Sequence, residues 1–435
     1  MKIELLAPPF SGHLHPTLGL ARALAPEYEV RVLSTQSMQR AIAACGLRGE
    51  TILTAEDEQW MWAIANPPYA VKSHLLRMYR QLQQALQLMA RLRAALLQRW
   101  TVQRPDLVIV DFTLPPAGLL ALELGIPWWT SLPSPCVLEA PDGPPAYLGG
   151  LQPARHAPAR ALHAAARLMV RGVKRGLHAW HRREMAALGL SAIYRSDGSE
   201  AMYSPQCILA LGVEALEFER QWPAALHFVG PMLCTPPLGH PEPPFQPGRR
   251  HLLVTAGTHQ DWAKQRLADA ACDLAKRHSD WIVHFSDGHA HRQSVQASKG
   301  PPNFLRLPFV DYERHLARYA MLLHHGGAGV LYHALSAGIP SIVYPLDYDQ
   351  FDNATRLHAG CAGLRLKRLK DLPAMFLHAL QDPNAFSGLS ALQQAVREQM
   401  AEERTQAMVR ELSTGLSVTE QTSSSFKCNR SVPWR

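Results

Sequence analysis

The chain has no Cys-x-x-Cys pair, and its seven cysteines are scattered and odd in number. That pattern excludes a disulfide framework or a zinc ribbon and fits reduced thiols in the cytoplasm. No stretch approaches the roughly 20 consecutive apolar residues that a spanning helix needs, so any membrane contact would be peripheral, at the inner face. The opening MKIELLAPPF carries one lysine, and Glu4 and two prolines interrupt its apolar run. It predicts a first strand rather than a signal peptide. Acids are outnumbered, 36 against 44 Lys and Arg, for a net charge of +8. That balance favours an anionic partner: a nucleotide, nucleic acid or an acidic membrane. Nucleic acid is the poorest of these, because no basic module with interleaved aromatics is present. A Walker A loop and a dinucleotide GxGxxG with its following acid are also missing, and no Asp-x-Asp metal motif is expected.

What is present describes a folded globular chain, 47% hydrophobic and 18% charged, whose 435 residues suggest two domains. Residues 233–249 hold six prolines and no hydrophobic period, and read as a linker. They divide an N-terminal domain, 1–232, from a C-terminal domain, 250–412. Residues 413–435 are polar and serine-rich and read as a disordered tail. Both halves alternate short apolar runs with helical patterns, predicting parallel sheets wrapped in helices. The expected strands are KIELLAP, EVRVLST, LVIVDF and PWWTSL, then HLLVTAG, WIVHFSD, MLLHH and SIVYPL. The fold class is therefore α/β, with two doubly wound Rossmann-like domains facing each other across a cleft. Ligands bind beyond the carboxyl ends of such strands. His13, Asp111, Thr258, His325 and the pair Asp349–Gln350 all fall there, five placements hard to credit to chance.

In HHGGAGVLYHALSAGIPSIVYPLDYDQFDNATRL, residues 324–357, three glycines separate a strand from a helix. Glycine lets backbone amides approach a phosphate, and the helix N-terminus adds positive potential. A plain turn is the alternative for the glycines alone. Asp349 beside Gln350 past the next strand suits vicinal hydroxyls of a sugar; alone, the pair would read as a helix cap and a solvated amide. In PPFSGHLHPTLGLARAL, His13 sits where a strand becomes a helix. An imidazole there can take a proton from a hydroxyl if a carboxylate orients it, and Asp111 is the candidate. His15 is a rival two residues on.

Together the spacing His-Gly-Gly…Gly-Ile-Pro…Asp-Gln…Asn-Ala resembles the nucleotide-sugar signature of family 1 glycosyltransferases with the GT-B fold, especially bacterial antibiotic, rhamnolipid and carotenoid enzymes. The resemblance extends to the N-terminal motif and to RPDLVIVDFTLPPAGLLALELGIP. It implies that Thr258, His325 and the backbone of Gly326, Gly327, Gly329 and Val330 hold the diphosphate. It also implies that Asp349 and Gln350 hold the sugar, and that Phe309, Val310 and His333 lie at the base and ribose. His13 then acts as base with Asp111, and the acceptor hydroxyl attacks the anomeric carbon in line, inverting it without a metal. The co-substrate is a nucleoside diphosphate sugar; no tightly bound cofactor is implied. Two departures stand out: Val330 replaces a hydroxyl residue, and His333 replaces an acid that grips ribose hydroxyls in plant-like members. Deoxyribose has no 2′-hydroxyl, so His333, with the doubled His324–His325, favours dTDP-sugar over UDP-sugar, including a deoxysugar such as rhamnose.

The acceptor is expected to be a lipophilic small molecule (polyketide, macrolide, lipid or carotenoid). Trp60, Trp62, Tyr69 and Met78 are candidates for its pocket, with Trp128, Trp129 and Met169 as further ones; plain core is the rival reading for helically spaced apolar residues. The basic segment 154–188 reads either as a solvated helical face or as an amphipathic helix resting on an anionic membrane. A monomer or homodimer is expected. The competing functions are a UDP-hexose transferase on a membrane or lipid-linked acceptor, a GT-B epimerase, and a non-catalytic nucleotide-sugar-binding homologue.

Overall fold

The computed structural model describes residues 1–70, 75–289 and 300–414; the expected tail lies outside them from residue 415 onward. Strands β1 (Lys2–Leu6), β2 (Glu29–Ser34), β3 (Arg48–Thr51), β4 (Leu107–Asp111), β5 (Trp128–Leu132), β6 (Ile208–Ala210) and β7 (Leu226–Phe228) form one sheet, ordered β3-β2-β1-β4-β5-β6-β7. Strands β8 (Arg250–Thr255), β9 (Trp281–Ser286), β10 (Phe304–Leu307), β11 (Met321–His324), β12 (Ser341–Val343) and β13 (Gly363–Arg365) form the other, ordered β10-β9-β8-β11-β12-β13. Every neighbouring pair is parallel. All eight strands expected from apolar runs form. The five additional ones, β3, β6, β7, β10 and β13, have three or four residues each, and all but β6 are sheet edges, where a strand need not be apolar along its length.

Parallel strands are covered on both faces, so β4 and β5 are buried along their whole length. Glu4 is the exception inside central β1, and it is answered: Arg99 donates from Nη2 at 2.6 Å and Trp100 from Nε1 at 2.7 Å. A buried charge must be paired, and this pair pins the helix Leu75–Val102 to the first sheet. Residues 233–249 carry no regular element and run between the sheets.

The chain then returns to its start. Helix Ala401–Ser413 packs against the first domain, where fully buried Val409 joins the core of Ile3, Leu18, Leu24 and Val32. Arg410 pairs with Glu27 at 2.7 Å. Residues after 400 therefore contribute to the first domain's core, although they follow the second domain in sequence. Val409→Ala should cost about 2 kcal/mol by cavity formation. Hydrogen exchange should report lost protection first in β1 and helix Ser11–Leu24, and loss confined to the second domain would refute this packing.

Candidate active site

In each sheet the crossovers leave a central pair in opposite directions, β1 with β4 and β8 with β11. These are the switch points where parallel sheets open a crevice. The chemistry gathers at both.

At the first switch point, Pro8 and Pro9 end the extended segment and helix Ser11–Leu24 begins behind an N-cap, Phe10, that has no capping side chain. His13 lies in the first turn. Its Nδ1 is 3.1 Å from both carboxylate oxygens of Asp111, the fully buried last residue of β4. Asp111 also accepts from the Thr113 amide at 3.0 Å and from the Thr113 hydroxyl. The carboxylate thus holds Nδ1–H and leaves Nε2 for the cavity. Burial pulls the His13 pKa down, but the charge and hydrogen bond of Asp111, helped by Asp349, outweigh it and raise the value above 6.5.

At the second, His324 is fully buried and its Nδ1 accepts from the Gly326 amide at 3.1 Å. Gly326 has a φ of +93°, and a Cβ there would stand 3.0 Å from the Gln350 carbonyl; only glycine makes this turn. The His325 ring is held between Gly257 and Gly327, where Cβ atoms would reach it at 2.7 and 2.5 Å. Burial, then the charge of Lys264, lowers the His325 pKa to about 4. The ring is neutral, so it can donate a hydrogen bond without carrying charge. Helix Ala328–Ala337 starts alongside, again without a capping side chain, and directs open amides at the same space.

The loop after β12 completes the site. The Gln350 side-chain Oε1 accepts from the amides of Leu346 at 2.9 Å and Asp347 at 3.0 Å, so the side-chain NH2 is the group left for a ligand. Asp349 accepts from the Ser134 hydroxyl across the cleft and from Asn353 Nδ2 at 3.2 Å. Burial raises the Asp349 pKa against those bonds and the charge of His13. Residues 347–349 do spell Asp-x-Asp, contrary to the expectation of no such string. Asp349 is turned to Ser134 and Asn353, while Asp347 accepts from the Tyr348 amide at 2.9 Å. No group of three potential metal ligands occurs among the described residues.

One cavity of about 1110 Å³ joins the two halves. His13, Thr258, His325, Gly327, Gly329 and Val330 line it, as do Asp349, Gln350, Phe309, His333 and Met78. Asp111 stands behind His13, and Gly326 shapes the turn beneath. Val310 is a correction: it is buried with Leu253 and Leu307, because only alternate residues of an extended segment face one side. Trp60, Trp62 and Tyr69 are also corrections, since none lines the cavity. Trp60 and Tyr69 lie under the guanidiniums of Arg91 and Arg77, at 5.0 and 3.9 Å, and Trp62 stacks on His259 at 5.1 Å. Trp128 and Trp129 are core, and Met169 is exposed. The doubled histidine presents one ring, not two, because His324 lines no part of the cavity. His333 faces His15, and burial lowers both, to about 4 and about 3.

Several lining residues had no signal in the sequence. His259, Ser134, Tyr147 and Gly257 belong to loops whose meaning depends on the partner domain. Asn353 could have been found, since it ends the Asp-Gln…Asn-Ala spacing.

Because the folded His13 pKa exceeds 6.5, the pair adds stability that is complete below that value and fades as pH rises through the raised one. Asp111→Asn should move the His13 titration in NMR to lower pH, leaving burial opposed only by the charge of Asp349; an unchanged midpoint would refute the pairing.

Residues 271–414 match the family described as Erythromycin biosynthesis protein CIII-like, C-terminal domain. The chain is 25% identical over 380 residues to 4'-demethylrebeccamycin synthase of Lentzea aerocolonigenes, covering 84% of this chain and 88% of that protein. It is 28% identical over 168 residues to zeaxanthin glucosyltransferase of Pseudescherichia vulneris, covering 38% and 40%. The solved glycosyltransferase VinC in complex with DTDP superposes with a TM-score of 0.63 at 20% identity, over 95% of this chain and 100% of that one. Two facing parallel-sheet domains, a matching C-terminal domain and these relatives make the chain a glycosyltransferase of the GT-B fold, akin to the family 1 antibiotic enzymes.

Proposed function

We propose that the protein transfers a sugar from a nucleoside diphosphate to a hydroxyl of a lipophilic small molecule, inverting the anomeric centre without a metal. The observation that carries this reading is the oriented His13–Asp111 pair, which shares one cavity with the His325 turn and the Asp349–Gln350 loop. His13 Nε2 takes the proton of the acceptor hydroxyl as its oxygen attacks the anomeric carbon. Asp111 stabilises the imidazolium that forms. The bond from the anomeric carbon to the diphosphate oxygen breaks, and the leaving charge falls on His325 and the amides opening helix Ala328–Ala337. Thr258 lies on the same side of the cavity. The Gln350 NH2 and the Asp349 carboxylate meet the sugar hydroxyls.

The acceptor side is apolar: Met61, Ile64, Leu76, Met78, Leu82 and Leu88 line it. That lining suits a hydrophobic aglycone, in keeping with a relative named for zeaxanthin. For the donor, Phe309 offers a face to the base, and a neutral His333 lacks the carboxylate that would reward a ribose 2′-hydroxyl. This supports dTDP-sugar over UDP-sugar, as does the DTDP complex of a structural neighbour. Free thiols at all six described cysteines fit a cytoplasmic enzyme.

His13→Ala should reduce turnover by at least about a hundredfold, the usual contribution of a general base, with donor binding retained in calorimetry. Wild-type turnover in that variant would sink the assignment. Since only the neutral ring accepts a proton, kcat/KM should fall as pH drops through the raised His13 pKa, and a flat profile would contradict it. In calorimetry dTDP should bind more tightly than UDP by about tenfold, roughly 1.4 kcal/mol; a UDP preference overturns the donor choice.

A further inference from the structure

Helix Ala157–Trp180 is amphipathic in the wrong sense for a soluble surface helix. Of its 24 residues only His163 is buried. Leu162, Met169, Val173 and Trp180 recur at intervals of seven, four and seven, which places them on one stripe. That stripe faces outward, with exposures of 68%, 56%, 57% and 77%. The cationic side faces the protein instead. Arg167 donates to the Gly143 carbonyl at 2.6 Å, Arg171 to the Gly198 carbonyl at 2.6 Å, and Lys174 pairs with Glu139 and Glu200 at 2.5 Å each. Polar bonds hold the helix down, and its apolar face is presented to the surroundings.

Two observations say what covers that face. First, it is continuous with the cavity mouth. Val173 and Leu177 line the cavity from this helix, and Leu76, Met78 and Tyr79 line it from the start of helix Leu75–Val102. Trp180 meets Tyr79 edge-on at 6.2 Å, closing the rim between the two helices. Second, the surroundings are positive. No acid occurs between Asp142 and Glu184, and none in Leu75–Val102. Arg155, Arg160, Arg175, Arg182 and Arg183 are exposed. A second copy would oppose one positive face to another, whereas an anionic bilayer accepts both the apolar stripe and the arginines.

We propose that this face docks on an anionic lipid bilayer. The outward stripe of helix Ala157–Trp180 then sits at the level of the headgroups, and the arginines flank it on lipid phosphates. The cavity mouth opens onto the membrane, so a lipophilic acceptor dissolved there enters between Val173 and Met78 without crossing water. The docking surface stands by itself; the entry of acceptor rests on the transfer reaction proposed above.

The test is sedimentation of the full chain with vesicles of equal parts phosphatidylglycerol and phosphatidylcholine. Binding is expected to the mixed vesicles, to weaken on phosphatidylcholine alone and to fall with added salt. Leu162→Gln with Met169→Gln, both on exposed positions outside the cavity, should lower partitioning by roughly tenfold or more. Nucleotide binding and turnover of a water-soluble acceptor should be unchanged, which also shows that the variant is folded. No sedimentation, or equal sedimentation of the variant, overturns the proposal. A dimer in light scattering that the variant abolishes also overturns it and assigns the face to a second copy. Vesicle binding needs no turnover, so a chain that sediments but transfers nothing refutes the enzymatic reading and leaves the docking face standing.

Discussion

The ion pair between Arg356 and Glu217, 2.7 Å long and buried on both sides, fixes the two domains against each other. Such a pair contributes little net stability, yet losing one partner would strand a charge and cost about 3–5 kcal/mol. Arg356 lies on helix Gln350–Ala359, whose residues bond the opposite domain turn after turn. Asp349, its N-cap, takes the Ser134 hydroxyl; Asp352 accepts from the Tyr147 amide at 2.9 Å; Thr355 donates to the Gly150 carbonyl at 3.0 Å. The helix that carries the proposed sugar-binding groups therefore also ties the two domains together.

The two halves of the site contribute different electrostatics. At the first switch point a buried carboxylate raises the affinity of His13 for a proton. At the second, burial and a nearby lysine hold His325 neutral. Both are histidines between a parallel strand and the body of the helix that follows it, and the difference comes from what lies behind each ring. An imidazole backed by Asp111 is suited to gain a proton, whereas one wedged between Gly257 and Gly327 keeps a fixed donor for an anion.

The outward stripe of helix Ala157–Trp180 follows the same economy of position. Its Arg167, Arg171 and Lys174 reach Glu139, Glu200 and backbone carbonyls, so the helix is held by its polar side. Of the apolar residues left outside, Val173 lines the cavity and Trp180 meets Tyr79 at its rim. Docked as proposed, the cavity lined by Met78, Leu76 and Val173 would receive a lipophilic acceptor without its crossing water.

Both sheets were legible in the sequence because a strand buried on two faces must be apolar along its whole length, as in LVIV and MLLH. Positions at strand ends were legible for the same reason: His13, Asp111, Thr258, His325, Asp349 and Gln350 stand where a recognisable run stops. Short edge strands, with three or four residues, left no such trace. Aromatic content by itself misled at Trp60, Trp62 and Tyr69, since a large ring packs equally well under an arginine as in a cavity wall. The sequence by itself determined the fold class and the strand-end loops, because burial period and turn chemistry are local. Only the tertiary structure decided that Ser134 meets Asp349, that Val409 closes the first core, and that an amphipathic helix turns its apolar face outward. Each depends on contacts between segments up to hundreds of residues apart, which no local pattern encodes.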